Sequence, residues 1–286
     1  MAQAQSYTTV DDPLGVNGTA TIAFGISGNN IVGSYTASSG NTYGFLYNGS
    51  TYTTLNDPLG VYGTYAYGID GNNIVGTYTD GSYNNNGFLY NGSTYTTLND
   101  PLGVYGTVAY GISGNNIVGT YTTSTAGYGF LYNGSTYTTL SDPLGVNGTA
   151  AYGIDGNNIV GSYTTSSYNT YGFLYNGSTY TTLSDPLAVH GTVAWGISGN
   201  NIVGYYYDSS YIAHGFLYNG STYTTLNDPL GVQGTAAYGI DGNNIVGSYT
   251  SSDYNNGFIV SVPEPSTLAL AGLGGLSLLL FRRRKS

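Results

Sequence analysis

Residues 64–98 read TYAYGIDGNNIVGTYTDGSYNNNGFLYNGSTYTTL, and this stretch decides the fold. Residues 64–69 alternate small and aromatic side chains, the period-two pattern of a half-buried strand. Asp70-Gly-Asn-Asn73 is dense in turn formers and predicts a reversal before a second strand over 74–79. A polar loop over 80–86 leads to a third strand, 87–90. Asn91-Gly92-Ser93 is the Asn-Gly hairpin signal, and 95–98 forms a fourth strand. Four antiparallel strands in about 43 residues match the period of a propeller blade.

The same text recurs along the chain. Asp-Pro-Leu-(Gly/Ala) begins at Asp12, Asp57, Asp100, Asp142, Asp185 and Asp228, spaced by 45, 43, 42, 43 and 43 residues. Gly-Asn-Asn-Ile-Val-Gly begins at Gly28, Gly71, Gly114, Gly156, Gly199 and Gly242. Gly-Phe-(Leu/Ile)-(Tyr/Val) also recurs six times, from Gly44 to Gly257. The ends are complementary: Tyr7-Thr-Thr-Val10 reads as a fourth strand without its blade, and strands near 236–240, 245–249 and 258–262 read as a blade without its fourth strand. The expected fold is therefore all-β, a six-bladed β-propeller over residues 7–262 with a three-plus-one clasp. A linear solenoid would leave 7–10 unpaired and expose two sheet edges. Runs such as Gly87-Phe-Leu-Tyr90 are apolar at successive positions, as expected where both faces of a blade are covered.

Composition narrows the function. The 286-residue chain has no Cys, 46 Gly, 33 Tyr and a net charge of −10, and all four Lys and Arg lie in Arg282-Arg283-Arg284-Lys285. A body without a single cation excludes nucleic-acid binding and is repelled by anionic membrane surfaces. The two His, His190 and His214, fall in one repeat, and the motifs of nucleophilic and zinc catalysis are missing. No cofactor and no metal are expected. Asp70-Gly-Asn-Asn73 offers part of a calcium shell but reads more economically as a turn. The six Asp that precede Pro are expected to be turn formers. The catalytic alternative is a secreted carbohydrate-active enzyme that uses paired Asp near the ring centre.

Strand alternation puts the two tight turns of each blade on one face, and the connectors and long loops on the other. That second face carries the variation between repeats, in loops 38–42, 80–86, 123–127, 165–170, 208–214 and 251–256. The variable connector position is Asn17, Tyr62, Tyr105, Asn147, His190 and Gln233, the candidate ligand face. Tyr, Asn, Asp and Ser suit stacking on and hydrogen bonding to sugars, so an exopolysaccharide is the expected ligand, with self-association as a further use of the face. Phe24, Tyr67, Tyr110, Tyr152, Trp195 and Tyr238 share one register of the first strand and are expected to pack between blades more readily than to line a ligand channel. Ser27, Asp70, Ser113, Asp155, Ser198 and Asp241 alternate strictly, as if a two-blade unit had been copied three times.

The C-terminus carries a different message. Val262-Pro263-Glu264-Pro265 precedes an uncharged apolar run to Phe281, then the basic cluster. As a helix that run spans about 24 Å, a little short of a hydrocarbon core. The arrangement resembles the PEP-CTERM sorting signal over residues 262–285. The resemblance implies a transmembrane helix and basic tail over 263–286, transient anchoring in the inner membrane, recognition by an exosortase, and release to the cell envelope or extracellular matrix. Secretion machinery is implied too. Residues 1–6 lack a charged or apolar signal region, although Ala2-Gln3-Ala4 has the small-residue pattern of a signal-peptidase site, so they read as the remnant of a trimmed leader. The repeats, with Gly-Phe-Leu-Tyr-Asn-Gly and Gly-Ile…Asn-Ile-Val-Gly, also resemble HAF-type extracellular repeats, which implies an exported repeat protein with no established chemistry.

Overall fold

A computed structural model describes residues 5–15, 21–252 and 254–262. The described residues form 24 strands and no helix. The expected C-terminal helix falls on 263–286, outside the described residues. Among the described residues no helix is long and apolar enough to cross a membrane.

The strands group into four-stranded antiparallel units, each following chain order from the axis outward. In blade 2 the strands are Gly63–Asp70, Asn73–Thr79, Asn85–Tyr90 and Tyr95–Leu98. Blades 1, 3, 4 and 5 cover residues 22–55, 107–140, 149–183 and 192–226 with the same pairing. Blade 6 comprises Gly234–Asp241, Asn244–Thr250 and Asn255–Ser261, and its fourth strand is Tyr7–Val10 from the other end of the chain. Tyr7 pairs with Val260 and Val10 with Gly257, all antiparallel, which is the expected clasp. A single parallel bridge from Ala213 to Gly234 joins blades 5 and 6 into one eight-stranded sheet. The third strands start earlier than their apolar text. Asn85 and Asn86 look like loop residues, yet they pair with Thr79 and Tyr78 because the ladder runs on past the apolar segment.

The core is a set of layers between blades. Ala66, Ile69, Ile74, Tyr78 and Phe88 of blade 2 pack against Val32 and Leu55 of blade 1. At the closure, Ala23, Ile26, Ile31, Tyr35 and Phe45 of blade 1 meet Val246 and Val10 of blade 6. Val10 thus takes the place that Leu55 holds one blade on. The Phe of each third strand abuts a Gly of the second: a Cβ on Gly76 would sit 2.7 Å from the Phe88 ring and closer still to the Tyr65 carbonyl oxygen, so only Gly fits there.

Each first strand carries a β-bulge at its aromatic residue, as between Ala66 and Gly68 in blade 2. The extra residue bends the strand and turns the side chain toward the axis. The Gly that follows lets neighbouring first strands approach, since a Cβ on Gly68 would sit 2.5 Å from the Tyr110 carbonyl oxygen.

Two further devices repeat. On the tight-turn face, a belt of hydrogen bonds runs from blade to blade. The Gly114, Gly199 and Gly28 N–H groups donate to Asp70, Asp155 and Asp241 at 2.7, 2.7 and 2.6 Å. Gly71, Gly156 and Gly242 donate to Ser27, Ser113 and Ser198 at 3.2 Å each. The carboxylates make the shorter bonds, as charged acceptors do. On the opposite face, each connector Asp is buried in its own turn. The Leu59 N–H donates to Asp57 Oδ1 at 2.9 Å, and the Asp57 N–H donates to Thr64 Oγ1 at 3.1 Å. Burial pushes the carboxyls of Asp12, Asp57, Asp185 and Asp228 above the ordinary Asp value, only partly opposed by the backbone N–H each accepts.

Two outcomes follow from this architecture. Removing residues 7–10 strips the last blade of Tyr7 and Val10, each worth about 2 kcal/mol of burial, and should lower Tm by about 10 °C. An unchanged Tm would refute the clasp. These four carboxyls bind protons more tightly folded than unfolded, so they favour the fold at low pH and lose that contribution as pH rises through their raised values. Calorimetric Tm should therefore climb as pH falls from 7 toward the ordinary Asp value of about 3.9, opposite to acid unfolding driven by broken ion pairs.

Candidate functional site

The axis is closed. Phe24, Tyr67, Tyr110, Tyr152, Trp195 and Tyr238 meet edge to face, tilted or stacked around it. Successive ring centroids lie 4.9, 4.9, 5.1, 4.2, 5.0 and 5.2 Å apart. Contacts also cross the ring, from Trp195 to Tyr110 at 5.7 Å and to Phe24 at 6.3 Å. A void of about 70 Å3 remains, too small for a sugar. Burial raises the Tyr67, Tyr110 and Tyr238 hydroxyls above the ordinary phenol value. This is a packed plug of six half-buried rings that fill the axis against one another. Each connector carboxyl accepts a turn N–H through Oδ1, with Oδ2 of Asp12 and Asp185 buried without a partner, and Asp70, Asp155 and Asp241 accept the belt bonds. Among the described residues, no group of three or more His, Cys, Asp or Glu is placed to hold a metal ion.

The connector-and-loop face is different. The structure does not gather the variable connector residues into one site; it pairs four of the six with the long loop of their own blade. Tyr62 stacks on Tyr83 with centroids 4.0 Å apart and planes 12° apart. His190 stacks on Tyr211 at 3.7 Å and 7°. The Asn147 side-chain amide donates to the Thr165 carbonyl at 2.7 Å, and that of Gln233 to the Ser252 carbonyl at 3.0 Å. Tyr105 stands 65% exposed beside its blade's shorter loop. Asn17 lies outside the described residues.

Sequence reading missed the most unusual residues on this face. In blades 2, 4 and 5 the loop closes through the same pair of backbone bonds, for instance Asp80 N–H to the Asn84 carbonyl and Tyr83 N–H to the Asp80 carbonyl. Blade 1 makes the same turn with Gly40 at φ +83°. The corresponding residues elsewhere are Tyr83, Tyr168 and Tyr211, at φ 64°, 62° and 60°. A left-handed conformation costs a non-Gly residue about 1–2 kcal/mol, most clearly when it is bulky. These rings do not recover that cost through burial, being 71, 79 and 69% exposed. A signal was present in the text: Gly40 aligns with the three tyrosines once the turns are superposed.

Asp80 and Asp208 brace two of these loops. Asp208 Oδ1 accepts from the Ser210 and Ile212 N–H groups at 2.7 and 3.0 Å, and its Oδ2 lies 3.2 Å from His214 Nε2. The Ile212 N–H and then His214 hold the Asp208 carboxyl below the ordinary value, and the Asn84 N–H does the same for Asp80.

Comparison with known proteins identifies a motif at the C-terminus and a shared fold. Residues 261–285 match the PEP-CTERM protein-sorting motif. No curated protein matches the sequence. Among solved structures, the chain is similar to the six-bladed propeller lectin of Aleuria aurantia, which recognises fucose: TM-score 0.54, 13% identity, covering 88% of this chain and 99% of the lectin. It is similar also to TolB of Acinetobacter baumannii (TM-score 0.57, 14% identity, 82% of this chain and 64% of TolB). A third is Trypanosoma rangeli sialidase (TM-score 0.54, 10% identity, 91% of this chain and 60% of the sialidase). At these identities the likeness establishes the propeller fold and nothing about activity.

If the axial plug supports the ring, Trp195→Ala, which removes contacts to Tyr152, Tyr238, Tyr110 and Phe24, should cost about 3 kcal/mol in urea unfolding. A change below about 0.5 kcal/mol would mean the plug bears no load.

Proposed function

We propose that this chain is an exported, non-catalytic carbohydrate-binding propeller that holds polysaccharide on its connector-and-loop face. The sorting motif supports the exported half of this reading, with exosortase processing and transient inner-membrane anchoring before delivery to the envelope or matrix. The HAF-like repeat text fits the same setting. The observation that carries the binding half is the set of exposed tyrosines at left-handed loop positions. Backbone strain persists where function selects it, and flat aromatic rings are the natural partners of the apolar faces of pyranose rings. Asn and Ser side chains around them supply hydrogen-bond donors and acceptors. An exopolysaccharide in the protein's own matrix is the ligand this chemistry suits, and repeated weak contacts around one ring would add through multivalency. Catalysis by paired carboxylates draws no support from the connector Asp residues, each of which is engaged in its own turn.

The test is a binding assay of the full chain against the exopolysaccharide of the producing bacterium, alongside a Tyr83→Ala/Tyr168→Ala/Tyr211→Ala variant. The expected result is at least a tenfold loss of affinity without loss of Tm, since the rings contribute little burial. Binding should persist at 0.5 M salt, because no cation takes part. A triple variant that binds as tightly as the parent would defeat the reading.

A further inference from the structure

A cavity of about 440 Å3 opens on the connector-and-loop face between blades 4 and 5. That size lies within the range of small-ligand pockets, and it compares with about 160 Å3 for the cavity beside Gln233. Tyr168, from the blade 4 loop, lies on its border, as do the stacked rings of His190 and Tyr211 from blade 5. Asn169 and Ser184 are among its polar lining.

Local sequence accounts for an altered connector here. The connector residue after Asp-Pro-Leu is Gly in five repeats and Ala188 in this one. The Gly is needed where the connector lies close to the blade: a Cβ on Gly60, Gly145 or Gly231 would come within 2.7 Å of a Thr hydroxyl. With Ala188 the connector takes another path. In blade 2 the Val61 N–H donates to the Leu59 carbonyl and only the Tyr62 N–H reaches the Thr79 carbonyl. In blade 5 the Val189 and His190 N–H groups both donate to the Tyr207 carbonyl, at 2.9 and 3.2 Å. One added methyl group therefore coincides with a displaced connector, a stacked His–Tyr wall and the cavity.

We infer that this cleft between blades 4 and 5 is a specific binding site for a neutral pyranose unit of a polysaccharide, held between Tyr168 and the His190–Tyr211 wall. The inference rests on the carbohydrate-binding reading above and assigns it a place and a sugar class. The class follows from charge. Every Lys and Arg lies in residues 282–285 and the net charge with His neutral is −10, so at pH 7 and above a uronate or sulfated sugar meets repulsion and neither Lys nor Arg in the cleft. Two aromatic walls offer stacking surface to a ring with an apolar face, while the amide and hydroxyls receive its hydroxyl groups.

The site can be tested by titrating the full chain, by calorimetry, with neutral gluco-, galacto-, manno- and fuco-configured oligosaccharides and with oligogalacturonate. At least one neutral probe should bind, and oligogalacturonate at least tenfold more weakly. Tyr168→Gly removes one wall and relieves the left-handed strain, so it should raise Tm while weakening binding at least tenfold. A purely structural Tyr168 would not lose affinity as stability rose. Ala188→Gly, which permits the ordinary connector path, should also weaken binding at least tenfold, and Ser93→Ala on the tight-turn face serves as the neutral control. Full affinity in both Tyr168→Gly and Ala188→Gly would overturn the cleft while leaving the face reading intact. So would a greater loss from Tyr83→Gly than from Tyr168→Gly. Tighter binding of oligogalacturonate would overturn the sugar class. If no glycan of either kind binds, the carbohydrate-binding reading itself falls.

Discussion

Everything in this molecule depends on covering two apolar faces of every blade. Phe88 and its neighbours on one face of blade 2 need Val32 and Leu55 of blade 1, while Val75 and Leu98 of blade 2 serve blade 3 in turn. A sheet with two apolar faces cannot end in water without exposing one of them, so the series must close on itself. Closure needs a residue at the last outer strand to do for blade 1 what Leu55 does for blade 2, and Val10 does it. The clasp is thus a packing requirement as much as a ladder of hydrogen bonds, and it unites the two ends of the described chain. The Gly beside each Phe makes the layer thin enough for this arrangement to repeat.

The same closeness shapes where function can sit. First strands crowd the axis because the Gly after each bulge lets them, and the bulged aromatics then fill what space remains. With the channel filled and the tight-turn face tied by the Gly–Asp and Gly–Ser belt, variation falls on the connectors and long loops. These have a rigid base, since every loop springs from two paired strands, and loops on such a base are where recognition accumulates.

How much of this was legible in the text depended on whether the cause was periodic. The blade count, the clasp and the division of turns between faces follow from repeat spacing and strand parity, and both survive any local irregularity. The bulge at Tyr67 was invisible, because a single extra residue changes direction without changing spacing. The third strand was read as starting at Gly87, because Asn85 and Asn86 have loop composition although their backbones are paired. Tyr62 and His190 were singled out as variable, but their partners Tyr83 and Tyr211 were not, since a backbone dihedral leaves no mark in composition. Ala188 enters the sequence motif as one of two residues at its last position, and only the Cβ contacts at the other connectors reveal what the change demands.

Strain and exposure together make the loop tyrosines informative. A left-handed Tyr in a buried site could be the by-product of packing, and an exposed Tyr with ordinary dihedrals could be chance. Tyr83, Tyr168 and Tyr211 combine the unfavourable backbone with the unburied ring, and they do so at one turn position where blade 1 uses Gly40. Backbone strain alone would favour Gly at all four positions. Tyr83 and Tyr211 recover part of that cost by stacking on Tyr62 and His190, whereas Tyr168 shows no such stack, so its ring above all points to something outside the folded chain that rewards it. In a body without cations, that something has to be recognised by shape, stacking and hydrogen bonds, which describes an uncharged sugar better than an anionic polymer.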